Sequence, residues 1–198
     1  MNSVPEQPYH HGNLRSTLLE QAEATLTRVG VEGLSLRQLA RDVGVSHAAP
    51  SKHFRDKQTL LDALAESGFH RMTAAMTNAV DGPADARSRM FALAHTYVHF
   101  ALDNAALLAL MYSTKHTPGA TAQLIAAGQS SMDLTVSVVE DAQASGDIRS
   151  GDAKTIALVT FSTFHGIATL AAGQMLDGAD VDVVVEAAAS LLWAGLTA

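Results

Sequence analysis

The 198-residue sequence predicts an all-α chain of about nine helices, with an N-terminal three-helix helix-turn-helix domain followed by a larger C-terminal helical domain. Three observations carry that prediction. Alanine is abundant and aromatic residues make up only 5% of the chain, a composition that favours helix over strand. Apolar residues recur at helical spacing in one segment after another, and no strand-like alternation interrupts them. Glycine, proline and capping Asn, Asp, Ser or Thr residues fall between those segments, where helices stop and start.

Residues 1–8 contain Pro5 and Pro8 without periodicity and read as an arm. Asn13 is placed to cap a first helix reaching about Val29, with Leu14, Leu18, Ala22, Leu26 and Val29 turned inward and Gly30 as its stop. Ser35 and Gln38 form a capping box at the next helix. Leu36, Leu39, Ala40 and Val43 are its apolar stripe, and Gly44 sits where a left-handed residue ends a helix. Val45 plugs the turn, and Ser46 or His47 caps a third helix running to Phe54. Pro50 sits near the start of that helix, so a tight, 3₁₀-like first turn is expected, with Ala49 pushed away from helical angles. Phe54 reads as core and His53 as outward-facing. A helix, a short turn with glycine and a second helix, here residues 36–54, make a helix-turn-helix, whose second helix enters the DNA major groove.

Asp56 caps a fourth helix from Lys57 to about Ala79, with Leu60, Leu61, Leu64, Met72 and Met76 on its apolar side. Asp81-Gly82-Pro83 ends it and sets the expected domain boundary. Five further helices follow: 87–102, 105–112, 121–144, one from Asp152 to Leu176, and one capped by Asp180. The stretch from Thr155 to Leu176 lacks Asp, Glu, Lys and Arg and is long enough to cross a bilayer. Thr155, Thr160, Ser162, Thr163, His165, Thr169 and Gln174 interrupt it, so an interface helix and no membrane span is expected.

Charge is unevenly shared. Residues 1–60 hold seven Lys/Arg against six Asp/Glu, and the remainder six against fourteen, or +1 and −8 within a total of −7. An acidic body repels nucleic acid, so DNA contact has to be concentrated on the first domain. The absence of cysteine excludes disulfides and thiolate zinc sites. The polar N-terminus has no apolar signal core, and a cytoplasmic location is expected.

On the reading segment, His47, Ala48, Ser51, Lys52 and His53 can reach base edges or phosphates. Ser35 and Arg37 stand at a helix N-terminus, where free N–H groups attract anions. Lys57 lies in a first helical turn, a place where a cation opposes the helix dipole unless a phosphate is near. The segment from Tyr9 to Met72 resembles the DNA-binding domain of TetR-family transcriptional regulators. YHHGNLR opens it, VGVEGLSLRQLARDVGVSHAAPSKHF forms its centre and DKQTLLDAL closes it, together about a third of the chain. The resemblance implies operator contacts from Ser35, Arg37, Ser46, His47, Ser51, His53 and Lys57, although many relatives carry Tyr where this chain has Ser51. It also implies a reader spanning residues 9–72 and a ligand-binding and dimerisation domain spanning 84–198.

In the C-terminal half, Phe91, His95, His99, Met111, Tyr112, Phe161, Phe164 and His165 are the candidates for lining an apolar ligand cavity, with Tyr97 beside them. His95 and His99 have a spacing compatible with metal ligation, but no HExxH pattern or cysteine accompanies them and no metal site is expected. No carboxylate or serine stands at a telling spacing from any histidine, so no catalytic residue and no cofactor are expected. Phe164-His165-Gly166 resembles a Trp-His-Gly signature found in one TetR-family group. Gly166, Ala168, Ala171, Ala172 and Gly173 leave little side-chain bulk there, and the last two helices are the expected homodimer contact. The combined expectation is a sequence-specific transcriptional repressor. It would bind a palindromic double-stranded operator as a homodimer and be released by a small-molecule effector.

Overall fold

The computed structural model describes residues 14–82 and 85–197. Among them the chain forms eight α-helices, one 3₁₀ turn and no strand. The chain divides into two compact units, one ending at Leu64 and one beginning at Ala65. That division falls inside a helix rather than near Pro83, which with Ala84 lies outside the described residues. The expected cap Asn13 and most of the YHHGNLR motif also lie outside them.

In the first unit, α1 (Leu14–Val29) packs on α2 (Leu36–Val43), and α2 packs on the 3₁₀ turn Pro50–Lys52. Leu18, Ala22, Leu26, Leu39, Ala40 and Phe54 form the buried centre. Val29, expected inside, is 46% exposed, because it ends α1 beyond the buried Leu18–Ala22–Leu26 stripe. Ser35 caps α2 by accepting from the Gln38 amide at 3.1 Å. Gln38 does not complete the box, since its side chain bonds Asp42 and Arg41 on the same helix. Gly44 ends α2 at φ 76°, ψ 31°, with its N–H donating to the Ala40 and Arg41 carbonyls.

The third helix is shorter than the sequence suggests. Only Pro50–Lys52 is helical, and it is 3₁₀, following a turn closed by Ala49 N–H to the Ser46 carbonyl at 2.9 Å. Pro50 stands at the start of this turn, where its missing donor costs nothing. Ala49 keeps helical angles, φ −65° and ψ −44°, so the proline that follows does not displace it.

Helix α3 (Lys57–Asp81) is continuous across the division at Leu64. Asp56 caps it, accepting from the Thr59 amide and hydroxyl at 2.8 Å each. In the second unit, α4 (Ala86–Asp103) packs on α6 (Ala122–Ala144), α7 (Ala153–Ala172) and α8 (Val181–Thr197). The shorter α5 (Ala105–Lys115) packs on α4 and α6. Asp85, Thr121, Asp152 and Asp180 cap α4, α6, α7 and α8 through their side chains. Helix α5 runs one turn past the expected end at Tyr112, while α7 stops at Ala172, short of Leu176. Gln174 and Asp177, both at positive φ, lie in the segment that turns the chain into α8.

Candidate functional site

The segment after Gly44 is held by a few apolar anchors and offers its polar side chains outward. Phe54 is 1% exposed and Pro50 is buried, so both ends of the short turn are pinned into the first unit. Ser46, His47, Ala48, Ser51, Lys52 and His53, between and beside those anchors, are exposed. Ser35 and Arg37, at the start of α2, are exposed too, and Lys57 is half-buried at the start of α3. Arg55 is paired with Asp56 at 3.0 Å. The Thr59 amide, then the Thr59 hydroxyl, then Arg55 hold the Asp56 carboxyl down at about 2, so this cap is charged at neutral pH. Polar groups on a pinned turn, flanked by cations at two helix starts, suit contact with a polyanion.

Within the second unit, helices α3 to α7 enclose a cavity of about 260 Å³. Its wall is mostly apolar: Met72, Met76, Leu93, Tyr97, Tyr112, Leu158, Phe161 and Phe164 all border it. Its buried hydroxyls are already satisfied by protein groups. Ser131 bonds Thr73 at 2.6 Å, while Thr135 and Thr160 donate to carbonyls one turn back on their own helices. Lys115 is the charged residue of the wall, and burial lowers its pKa. Its stem crosses α6 at Gly128, where a Cβ would come within 2.7 Å of Lys115 Cδ. The Tyr97 hydroxyl lies 2.7 Å from His165 Nδ1 and 3.5 Å from the Tyr112 hydroxyl. Burial raises both tyrosine pKa values and lowers that of His165, so all three groups are neutral near pH 7.

The sequence-derived cavity candidates separate into distinct places. Tyr112, Phe161 and Phe164 border the 260 Å³ cavity, as does Tyr97. His165 borders a neighbouring space of about 300 Å³ between α4, α5 and α7, which Tyr112 also lines. Met111 is fully buried and packs where Gly68 leaves room, since a Cβ there would stand 2.6 Å from its sulfur. Phe91 lies under the Arg87 guanidinium at 5.0 Å. His95 and His99 face away from the cavity toward α8, where Asp182 and Glu186 meet them. Lys115, Ser131, Met72, Met76 and Thr160 border the cavity without having been among the cavity candidates read from the sequence. The signals were Met72 and Met76 on the apolar side of α3 and the lysine that ends α5.

The outer faces of α7 and α8 carry exposed apolar residues. Leu158, Val159 and Leu170 stand out from α7, and Val183 (65% exposed) and Leu191 (76%) from α8. Helix α7 is long and apolar enough to cross a membrane by length and composition alone, and 28% of its most apolar window is buried.

Comparison with known proteins bears on both units. A family described as "Bacterial regulatory proteins, tetR family" matches residues 18–64. A second, described as "Tetracyclin repressor-like, C-terminal domain", matches residues 90–192. The Tetracycline repressor protein class A from transposon 1721 of Escherichia coli is 48% identical over 52 residues, 26% of this chain and 24% of that protein. The chain thus spans about a quarter of the length of the curated relatives it matches. The solved structure of a protein of unknown function from Rhodococcus sp. RHA1 superposes with a TM-score of 0.93 at 65% identity, covering 98% of this chain and 100% of that one. PfmR, a TetR family transcriptional regulator from Thermus thermophilus, shares the fold at a TM-score of 0.71 and 19% identity, covering 89% and 97% of the two chains.

Proposed function

The chain belongs to the TetR family of non-enzymatic, DNA-binding transcriptional regulators, and from that premise we propose that it is a homodimeric repressor released by a small molecule held between the helices of its second unit. The observation that carries the DNA reading is the pinned, outward-facing segment from Ser46 to His53 behind the left-handed Gly44. Ser35, Arg37, Lys52 and Lys57 supply phosphate contacts in this reading, and His47, Ala48, Ser51 and His53 approach base edges. A serine at position 51 donates and accepts at short range, so it reaches less far than the tyrosine common among relatives.

Dimerisation supports the same reading. Val183, Ala187 and Leu191 form an exposed stripe on α8 at four-residue spacing, beside the exposed Val159 and Leu170 on α7. Pairing α7 and α8 with their copies across a two-fold axis covers these residues. Two reading segments about 34–36 Å apart then match successive major grooves of a palindromic operator. The cytoplasm follows as the location, because that is where such an operator is found.

For the effector, the cavity of about 260 Å³ favours a compact, largely apolar molecule. Lys115, whose charge is costly where it lies, favours one acidic group on that molecule. Met72 and Met76 put the ligand against α3, the helix that begins at Lys57. A ligand that prefers one position of α3 shifts the balance between operator-competent and released forms. Selection of bound DNA from a random pool tests the central claim. An inverted repeat with half-sites one helical turn apart is the expected product, and a pool without enrichment defeats it. Titration of compact carboxylic acids against the selected operator then tests release, which is absent if no acid changes operator affinity.

A further inference from the structure

Outside the reading segment and the cavity, one cluster joins residues that the regulatory reading does not use. His95 and His99 lie four apart on α4, so their side chains share one face, with rings 6.3 Å apart and 13° from parallel. Helix α8 sets Asp182 and Glu186, also four apart, against them. His99 Nε2 is 2.7 Å from Asp182 Oδ1, and His95 Nδ1 is 3.8 Å from the same oxygen. On the other edge of its ring, His95 Nε2 is 3.4 Å from Glu186 Oε2. One ligand atom from each of His95, His99 and Asp182 lies within 4.8 Å of the other two.

We propose that His95, His99 and Asp182 bind one divalent transition-metal ion of the zinc type per chain, with Glu186 holding the second nitrogen of His95. The donor set is the reason for that class of ion. Imidazole suits zinc and its neighbours, whereas magnesium and calcium sites are built from oxygens. Tetrahedral or octahedral zinc at about 2.0–2.1 Å from each ligand needs neighbouring donors roughly 3.0–3.4 Å apart. His95 Nδ1, at 3.8 Å from Asp182 Oδ1, has to approach by about half an ångström, and His99 Nε2, at 2.7 Å, has to give slightly, for both to reach that spacing. Three protein donors leave coordination positions for water, the arrangement of an open site.

Glu186 is what separates this cluster from a chance pair of histidines. Metal-binding histidines commonly donate their other ring N–H to a carboxylate, which fixes the tautomer and the ring plane. With Nε2–H of His95 donating to Glu186, the lone pair of Nδ1 faces Asp182 and His99. The ion would join α4 to α8 through His99 and Asp182, 83 positions apart in the chain. None of this depends on DNA contact or on the cavity.

The test is a zinc titration of full-length, tag-free protein by calorimetry and by competition with a chromophoric chelator. His10 and His11 in the N-terminal segment offer another place for zinc, so the decisive quantity is the equivalent that substitution removes. One equivalent per chain is expected in the parent protein and should be absent in His99→Gln and in Asp182→Asn. Their side chains are 49% and 57% exposed, so both replacements are at the surface, and circular dichroism of the metal-free variants checks that they fold. Glu186→Gln should weaken that equivalent by about 10–100-fold without abolishing it. Zinc should raise the melting temperature of the parent and leave that of His99→Gln where it is. Binding that is absent, or unchanged in both His99→Gln and Asp182→Asn, overturns the site. Unchanged affinity in Glu186→Gln overturns the role given to Glu186.

Discussion

Replacing Gly44 by alanine isolates the geometry on which the DNA reading rests. Gly44 holds φ 76°, and a Cβ built there meets nothing within 4 Å. The substitution therefore adds no clash, and its cost is that of a left-handed L-residue, about 1–2 kcal/mol. Asparagine tolerates that region better and should lose distinctly less. Gly30 is a matched control: φ 71°, no atom within 4 Å of its Cβ, and an N–H that ends α1 by donating to the Leu26 carbonyl at 2.9 Å. Gly30→Ala and Gly44→Ala should thus lose similar stability in urea unfolding, with unchanged m-values. They should part in operator binding. Gly44 leads directly into Ser46 and His47, so alanine there re-aims the reading segment, while alanine at Gly30 leaves it alone. Filter binding or fluorescence anisotropy at fixed salt should give a larger loss of affinity for Gly44→Ala. The reasoning is refuted if Gly44→Ala is as stable as the parent, if asparagine is no better than alanine, or if Gly30→Ala weakens operator binding equally.

Lys52→Ala should weaken operator binding about equally across sequences and lower the slope of log affinity against log salt by about one; an unchanged slope removes Lys52 from the phosphate contacts. Asp56 has a folded pKa of about 2 against an ordinary 3.8, so its cap stabilises the fold above 3.8 and that stabilisation fades as pH falls toward 2. Asp56→Asn should flatten acid unfolding within that window, as followed by circular dichroism, and an identical acid profile would count against the cap. Leu191→Glu places a charge on the most exposed large apolar residue of α8 and should yield monomers in light scattering together with lost operator affinity; a stable dimer moves the contact elsewhere. Phe164→Ala, at a side chain 4% exposed on the cavity wall, should cost about 3–5 kcal/mol in chemical unfolding, and a far smaller loss would mean that the wall collapses around the gap.

The parts legible in the sequence are those decided by neighbours a few residues apart. Ser35 and Asp56 cap the helices that begin after them because a side-chain oxygen reaches an amide three residues on, a distance set by helix geometry alone. Gly44 ends α2 for a similarly local reason. Where local rules conflicted, the outcome depended on packing. Ala49 stays helical although a proline follows, and buried Pro50 and Phe54 hold the segment as a 3₁₀ turn where a longer helix was expected. The cavity was only half legible. Periodicity put Tyr112, Phe161 and Phe164 on inward faces, but could not tell a wall from a filled core, so Met111 and Phe91 were grouped with them.

By itself, then, the sequence determined most of the helices, the side-chain caps of α2 and α3 and the glycine-ended turn. Each follows from contacts spanning about one helical turn. Only tertiary structure decided what faces each helix. Lys115 reaches the cavity wall by crossing a glycine on α6, and His95 and His99 gain carboxylates from α8. Helical spacing specifies which residues share a face and carries no information about the face opposite, because that pairing is made by chain folding over many tens of residues.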